Sequence, residues 1–184
     1  MGYLRLVHTG LPQPTIPEST CLEAYDRELD YLFETLRRLG AFPCEIEDLA
    51  QEVFVVLHRN WSTFDTGRPL RPYLFGVAFR VVQAHRRRRV REVPYPALDP
   101  EDLGSSPDDL LESKRSVSLL MAGLQHVPLR RRAVLVMHEL EGVSIADVAK
   151  RLSITRFGAY ARLRKARREL AKAVGRLLRS GARG

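Results

Sequence analysis

The sequence predicts an all-α fold: two small helical domains joined by a flexible linker, the C-terminal one containing a helix-turn-helix. Three observations predict it. Apolar residues recur at helical spacing along most of the chain, strand-like alternation is absent beyond chance, and residues 93–112 change character to proline, glycine, serine and acid. A chain of 184 residues with 45% hydrophobic content buries a real core, yet its length suits two small units better than one large one.

Residues 1–17 show no helical or strand period and read as a loose extension. From Thr20, with Glu23 as capping partner, Leu22, Tyr25, Leu29, Leu32, Phe33, Leu36 and Leu39 form a helical stripe that stops at Gly40. A second helix begins near Pro43 and turns Ile46, Leu49, Val53, Phe54, Val56, Leu57 and Trp61 inward. After a polar loop between Asn60 and Pro72, a third helix runs through Tyr73, Leu74, Val77, Ala78, Val81 and Val82 into the basic run Arg86 to Arg89. These helices make the first unit, residues 18–92.

The stretch 93–112 lacks a core of its own and reads as an extended connection. In the second unit, residues 113–184, Val117, Leu120, Met121 and Leu124 mark one amphipathic helix and Leu129 to Leu140 another. Pro128 suits a helix start, and Gly142 a helix end just before Ser144. Ser144 with Asp147 opens the next helix as a capping box, and Ile145, Val148, Ala149 and Leu152 follow at helical spacing. After a short turn comes Tyr160-Ala161-Arg162-Leu163-Arg164-Lys165-Ala166-Arg167-Arg168, short of acid and thick with arginine. A helix of that composition after a tight turn is how a helix-turn-helix offers its second helix to the major groove.

Charge agrees. Thirty Lys and Arg against 22 Asp and Glu leave a net charge of +8, which suits a polyanionic partner. Anionic lipid is disfavoured, because no long apolar span occurs and the N-terminal stretch is broken by Arg5, His8 and three prolines. A cytoplasmic location is therefore expected. Cys21 and Cys44 fit a reducing compartment, and without histidines at finger spacing they make no zinc finger. His8, His58, His85, His126 and His138 are scattered, so no metal or other cofactor is expected. No phosphate-cradling glycine loop or nucleophile elbow is present, and the chain is not read as an enzyme.

Several motifs then carry a resemblance by their order: Asp48-Leu49-Ala50-Gln51-Glu52-Val53-Phe54, Phe64-Asp65, Tyr73-Leu74-Phe75-Gly76-Val77-Ala78, Leu124 to Leu135, and Glu141-Gly142-Val143-Ser144. Over residues 20 to 178 the chain resembles bacterial RNA polymerase sigma factors, and within them the compact extracytoplasmic-function (ECF) class that keeps only two DNA-binding domains.

The resemblance implies that Asp48, Gln51 and Glu52 contact core RNA polymerase, accepting hydrogen bonds from basic side chains. It implies that the third helix and the loop before it read and open the promoter's minus-ten element. Arg80, His85, Arg86, Arg87, Arg88 and Arg89 would form the backbone track, and Trp61 and Phe64 stand either as stacking platforms for unpaired bases or as core plugs. The last long helix would read the minus-thirty-five element, with Thr155, Arg156 and Tyr160 at base edges and Arg162, Arg164, Lys165 and Arg167 on phosphates. An anti-sigma factor is a further partner the resemblance implies.

The chain also departs from the class. Arg80 and Ala84 stand where asparagine and aspartate are usual, Ser153 replaces the usual turn glycine, and Phe157 and Ala159-Tyr160 are unusual in the last helix. A stand-alone helix-turn-helix regulator that binds an operator as a dimer is the alternative reading. The acidic patch and the basic third helix favour the sigma factor.

Overall fold

The computed structural model describes residues 18–65, 67–92 and 111–181; the extension at 1–17 and the linker through 110 lie outside them. Among the described residues every regular element is helical. The helices are α1 (Glu18–Asp26), α2 (Leu29–Leu39), α3 (Ile46–Arg59) and α4 (Arg71–Glu92) in the N-terminal group. The C-terminal group holds α5 (Leu111–Gln125), α6 (Leu129–Leu135), α7 (Ile145–Arg151) and α8 (Arg156–Gly181). Short 3-10 turns at Pro43–Glu45 and Trp61–Thr63 lead into and out of α3, and a π-helical turn, Val136–Leu140, extends α6.

The first stripe is not one helix, as its periodicity predicts, but two. The chain turns at Arg27 and Glu28, where the Glu28 N–H bonds Tyr25 O at 2.9 Å. Helix α1 packs chiefly on α3, whereas α2 packs on both α3 and α4, and the turn between them lets each follow its own surface. Leu22 is accordingly half exposed, and Tyr25 is fixed to α3 by a 2.8 Å bond from its hydroxyl to Ala50 O. Helix α1 also begins at Glu18, so Thr20 lies inside it and does not cap it.

Leu32, Leu36 and Leu39 from α2 meet Leu49, Val53 and Leu57 from α3 and Leu74, Phe75, Ala78 and Val82 from α4, all buried. Helix α2 ends at Gly40, whose φ of 86° lies in the left-handed region that glycine enters without a Cβ penalty. The carbonyls freed at this end do not face water. Arg86 donates to Leu39 O at 3.1 Å and to Gly40 O at 2.9 Å, tying α4 to the end of α2.

In the second group α8 is the spine, touched by α5, α6 and α7. Ala159, Leu163 and Ala166 turn inward against Leu124, Val134, Met137 and Val148. Gly142, at φ 68°, closes the π-helical turn, and Ser144 caps α7 by accepting the Asp147 N–H at 3.2 Å. The turn into α8 passes through Ser153, which holds a φ of 52°. It is the one non-glycine residue with positive φ among those described, and it sits where the sequence lacks the usual glycine.

Replacing Ser153 with glycine should raise stability by about 1 kcal/mol, since the left-handed conformation costs an L-residue roughly that much. Thermal unfolding should show a midpoint higher by about 2–4 °C. Arg86→Ala should lower stability by about 2 kcal/mol, because two partly buried carbonyls lose a charged donor, while Arg87→Ala should change it by less than about 0.5 kcal/mol. Urea unfolding of the two variants side by side checks the contrast.

Candidate nucleic-acid interface

Helix α8 starts with Thr155, whose Oγ1 accepts the Gly158 N–H at 3.0 Å and so occupies one of the donors free at a helix start. The buried positions 159, 163 and 166 then fix which side faces out. Arg156, Tyr160, Arg164 and Lys165 are exposed, and Arg162 is half buried. No ion pair holds Arg156, Arg162, Arg164 or Lys165 among the described residues, so four cations on one helix are available to an outside anion. Arg167 differs, because both Nε and Nη2 donate to Glu139 Oε1. Phe157, which the sequence reading noted only as unusual, is 84% exposed in the first turn of α8. An aromatic off the buried stripe of an arginine-rich helix was the available signal.

The basic run of α4 is not a uniform track. Arg86 is held in the joint with α2. Arg88 pairs with Glu52 at 2.7 Å, Arg89 with Glu45 at 2.8 Å, and His85 lies 3.1 Å from the same Glu45. Burial opposes ionisation of Glu45, but the His85 hydrogen bond, the Phe42 N–H and the charges of His85 and Arg89 outweigh it and hold the carboxyl below its ordinary value. Arg80, exposed, donates only to Gly76 O, and Arg87 only to Gln83. Within this run the fold pairs Arg88 and Arg89 with carboxylates and Arg86 with backbone carbonyls, and it leaves Arg80 and Arg87 exposed, bonded only within their own helix.

Trp61 is 6% exposed and stacks on Phe64 with ring centroids 5.6 Å apart, while Phe64 leans on Tyr73 at 5.1 Å. Of the two readings left open for this pair, the burial of Trp61 favours the core plug. Phe64 is half buried at the rim of the same cluster.

On α3 the three polar residues separate. Asp48 and Gln51 are exposed with no hydrogen bond or ion pair among the described residues, whereas Glu52 bonds Arg88. The outer face of α3 thus presents an unpaired carboxylate and an unpaired amide.

Sequence reasoning missed how the two groups meet. Helix α2 packs on α5 and α6, and α4 touches α7. Arg132 of α6 is buried, its guanidinium donating to Val127 O at 3.0 Å, Gln125 O at 2.7 Å and Gln125 Oε1 at 2.9 Å. Burial and the nearby Arg86 charge both disfavour its protonated form. Tyr31 of α2 donates to Glu141 Oε2 at 2.9 Å, and burial, with Glu141 next to it, pushes the Tyr31 hydroxyl up. A cleft of about 750 Å³ remains between Arg86 and Arg87 of α4, Leu129 and Arg130 of α6, and Arg162 and Lys165 of α8.

Residues 24–92 match the Sigma-70 region 2 family and residues 118–170 the Sigma-70 region 4 family. The chain is 28% identical over 146 residues to the ECF RNA polymerase sigma factor SigF of Caulobacter vibrioides, covering 77% of each. To the RNA polymerase sigma-E factor of Streptomyces coelicolor it is 30% identical over 128 residues, covering 68% of this chain and 70% of the relative. Its fold is similar to that of RpoE from Bartonella quintana, solved with the anti-sigma factor NepR, at a TM-score of 0.63 and 19% identity over 86% of this chain and 96% of that one. It is also similar to CnrH, solved with the cytosolic domain of CnrY, at a TM-score of 0.58 and 21% identity over 87% and 90%. With both regions matched in order on one helical chain, the protein belongs to the extracytoplasmic-function class of bacterial RNA polymerase sigma factors.

Proposed function

We propose that this sigma factor divides its work between the two faces that the fold leaves without internal partners. As a member of its class it binds core RNA polymerase and directs promoter recognition, DNA opening and transcription initiation. The observation that supports the division of labour is that the exposed α3 face and the exposed start of α8 lie on one chain and neither is neutralised by it. Asp48 and Gln51 are the polymerase contacts, with Glu52 contributing once Arg88 releases it. A desolvated carboxylate accepting from a basic partner gives such a contact both strength and register.

In region 4, Thr155, Arg156 and Tyr160 read base edges at the helix start, and Phe157 beside them offers an apolar surface that suits a thymine methyl group. Arg162, Arg164 and Lys165 meet phosphates, and Arg167 joins them when it exchanges Glu139 for the backbone. In region 2, Arg80 and Arg87 hold the promoter strand, with Phe64 at the rim as the stacking platform. The chemistry of RNA synthesis belongs to the core enzyme, and the chain itself carries no reaction. No helix among the described residues is long and apolar enough to cross a membrane. Work on promoter DNA is work in the cytoplasm, and that is the location this reading gives the protein. Solved relatives carry anti-sigma factors, and an anti-sigma factor that covers these faces is the matching regulator here.

Three outcomes test this reading. Purified protein added to core polymerase should give run-off transcription from promoters mapped by sequencing transcript starts on overexpression, and binding of an operator as a polymerase-independent dimer would overturn the sigma reading. Asp48→Lys should weaken association with core polymerase more than tenfold while circular dichroism stays unchanged; retained association removes that face from the interface. Arg162→Ala with Arg164→Ala should reduce the slope of log affinity against log salt by about 2, because each phosphate contact contributes about 0.9.

A further inference from the structure

The cleft of about 750 Å³ gathers cations from three helices. Arg86 and Arg87 come from α4, Arg130 and Arg131 from α6, and Arg162 and Lys165 from α8, and no carboxylate lies among the lining residues. Two of the six are already engaged. Arg86 donates to the carbonyls at the end of α2, and Arg131 pairs with Glu169 at 2.8 Å. Arg87 donates only to the neutral Gln83 amide, and the side chains of Arg130, Arg162 and Lys165 have no ion pair or hydrogen bond among the described residues. Carboxylates are not scarce nearby, since Glu169 serves Arg131 and Glu139 serves Arg167, yet none is paired with these four.

Four unpaired cations in one concavity repel each other, and the concave wall focuses their field on whatever enters. The space is that of a small-molecule site, which runs from about 300 to about 1,000 Å³. Taken as a sphere it is about 11 Å across, narrower than a duplex major groove of about 12 Å. A duplex does not fit inside it, whereas a short chain of phosphates does. Pro128, Leu129 and Ala161 complete the lining with an apolar surface that a phosphate chain alone leaves uncovered.

We propose that this cleft binds a nucleoside polyphosphate, with its phosphate chain held by Arg87, Arg130, Arg162 and Lys165 and its base laid on Pro128, Leu129 and Ala161. The guanidinium forks of three arginines suit bidentate contact with phosphate oxygens, and the Lys165 ammonium adds a point charge on a flexible stem. One ligand then neutralises groups from α4, α6 and α8 together. The site itself requires neither polymerase nor promoter. Its consequence rests on the promoter-binding reading: Arg87, Arg162 and Lys165 are also phosphate contacts for DNA, so a ligand seated on them withholds them from the duplex.

The far end of α8 supplies the comparison. Lys172, Arg176 and Arg179 are exposed and have no ion pair among the described residues, but they line a groove made by that one helix alone. Equal charge there offers a polyanion no enclosure.

Isothermal titration calorimetry of the full chain at about 0.15 M salt tests the site, with adenosine and guanosine 5′-triphosphate and inorganic tripolyphosphate as probes. The wild type should take one nucleoside triphosphate per chain, about tenfold more tightly than tripolyphosphate, because the base buries apolar surface. Arg130→Ala should lower that affinity about tenfold, as loss of one charge-assisted contact does. Ala161→Glu, which sets a carboxylate in the cleft, should abolish binding. The triple variant Lys172→Ala, Arg176→Ala, Arg179→Ala should stay within about twofold of wild type, since salt screens charges that distant. No binding, several ligands per chain, or a triple variant as weak as Arg130→Ala overturns the site, the last two by showing adhesion to net charge alone. Tripolyphosphate binding as tight as that of the nucleotides overturns the nucleoside and assigns the cleft to a free phosphate chain. Saturating nucleotide should also weaken binding of the free protein to a duplex pool of about 60 base pairs by at least about threefold, and leave Arg130→Ala unaffected. Unchanged duplex affinity overturns the competition. Calorimetry contains neither DNA nor polymerase, so failure of the site and failure of the sigma reading are separate results.

Discussion

Helix α4 carries four consecutive arginines, Arg86 to Arg89, and it stays helical because its neighbours supply anions and carbonyls at the angles those side chains leave it. Successive residues on a helix turn by about 100°, so four adjacent side chains cannot share one partner. Arg86 finds the end of α2, Arg88 finds Glu52, and Arg89 shares Glu45 with His85. Glu45 ends the 3-10 turn that leads into α3 and Glu52 lies within α3, and both carboxylates reach across to α4. Asp48 and Gln51 fall away from that side and remain in water. The pairing that keeps α4 together therefore also leaves only part of the acidic patch free for a partner.

The same pairing sets how much of the molecule was legible in its sequence. Period and punctuation located the helices: Gly40 ends α2 in the left-handed conformation, Ser144 caps α7, and Leu163 and Ala166 face the core. These are local rules, decided by residues within one turn of each other. The break at Arg27 and Glu28 was not legible, because the apolar stripe continues across it and only the separate positions of α3 and α4 require the turn. Trp61 and the roles of the individual arginines were ambiguous for a related reason. A charge or an aromatic ring in a sequence has no partner written beside it, and Glu45 lies 44 residues from Arg89.

Ser153 shows a local rule broken and the result tolerated. The turn between α7 and α8 needs a left-handed residue, and the chain provides one without the glycine that would make it free of strain. Neighbouring contacts hold it: the Ile154 N–H bonds Ala149 O at 2.9 Å, and Val148, Ala149 and Ala159 bury the two helices against each other. The turn geometry fixes the direction in which α8 leaves α7, so the strain at Ser153 is set against the orientation of every arginine on the recognition helix.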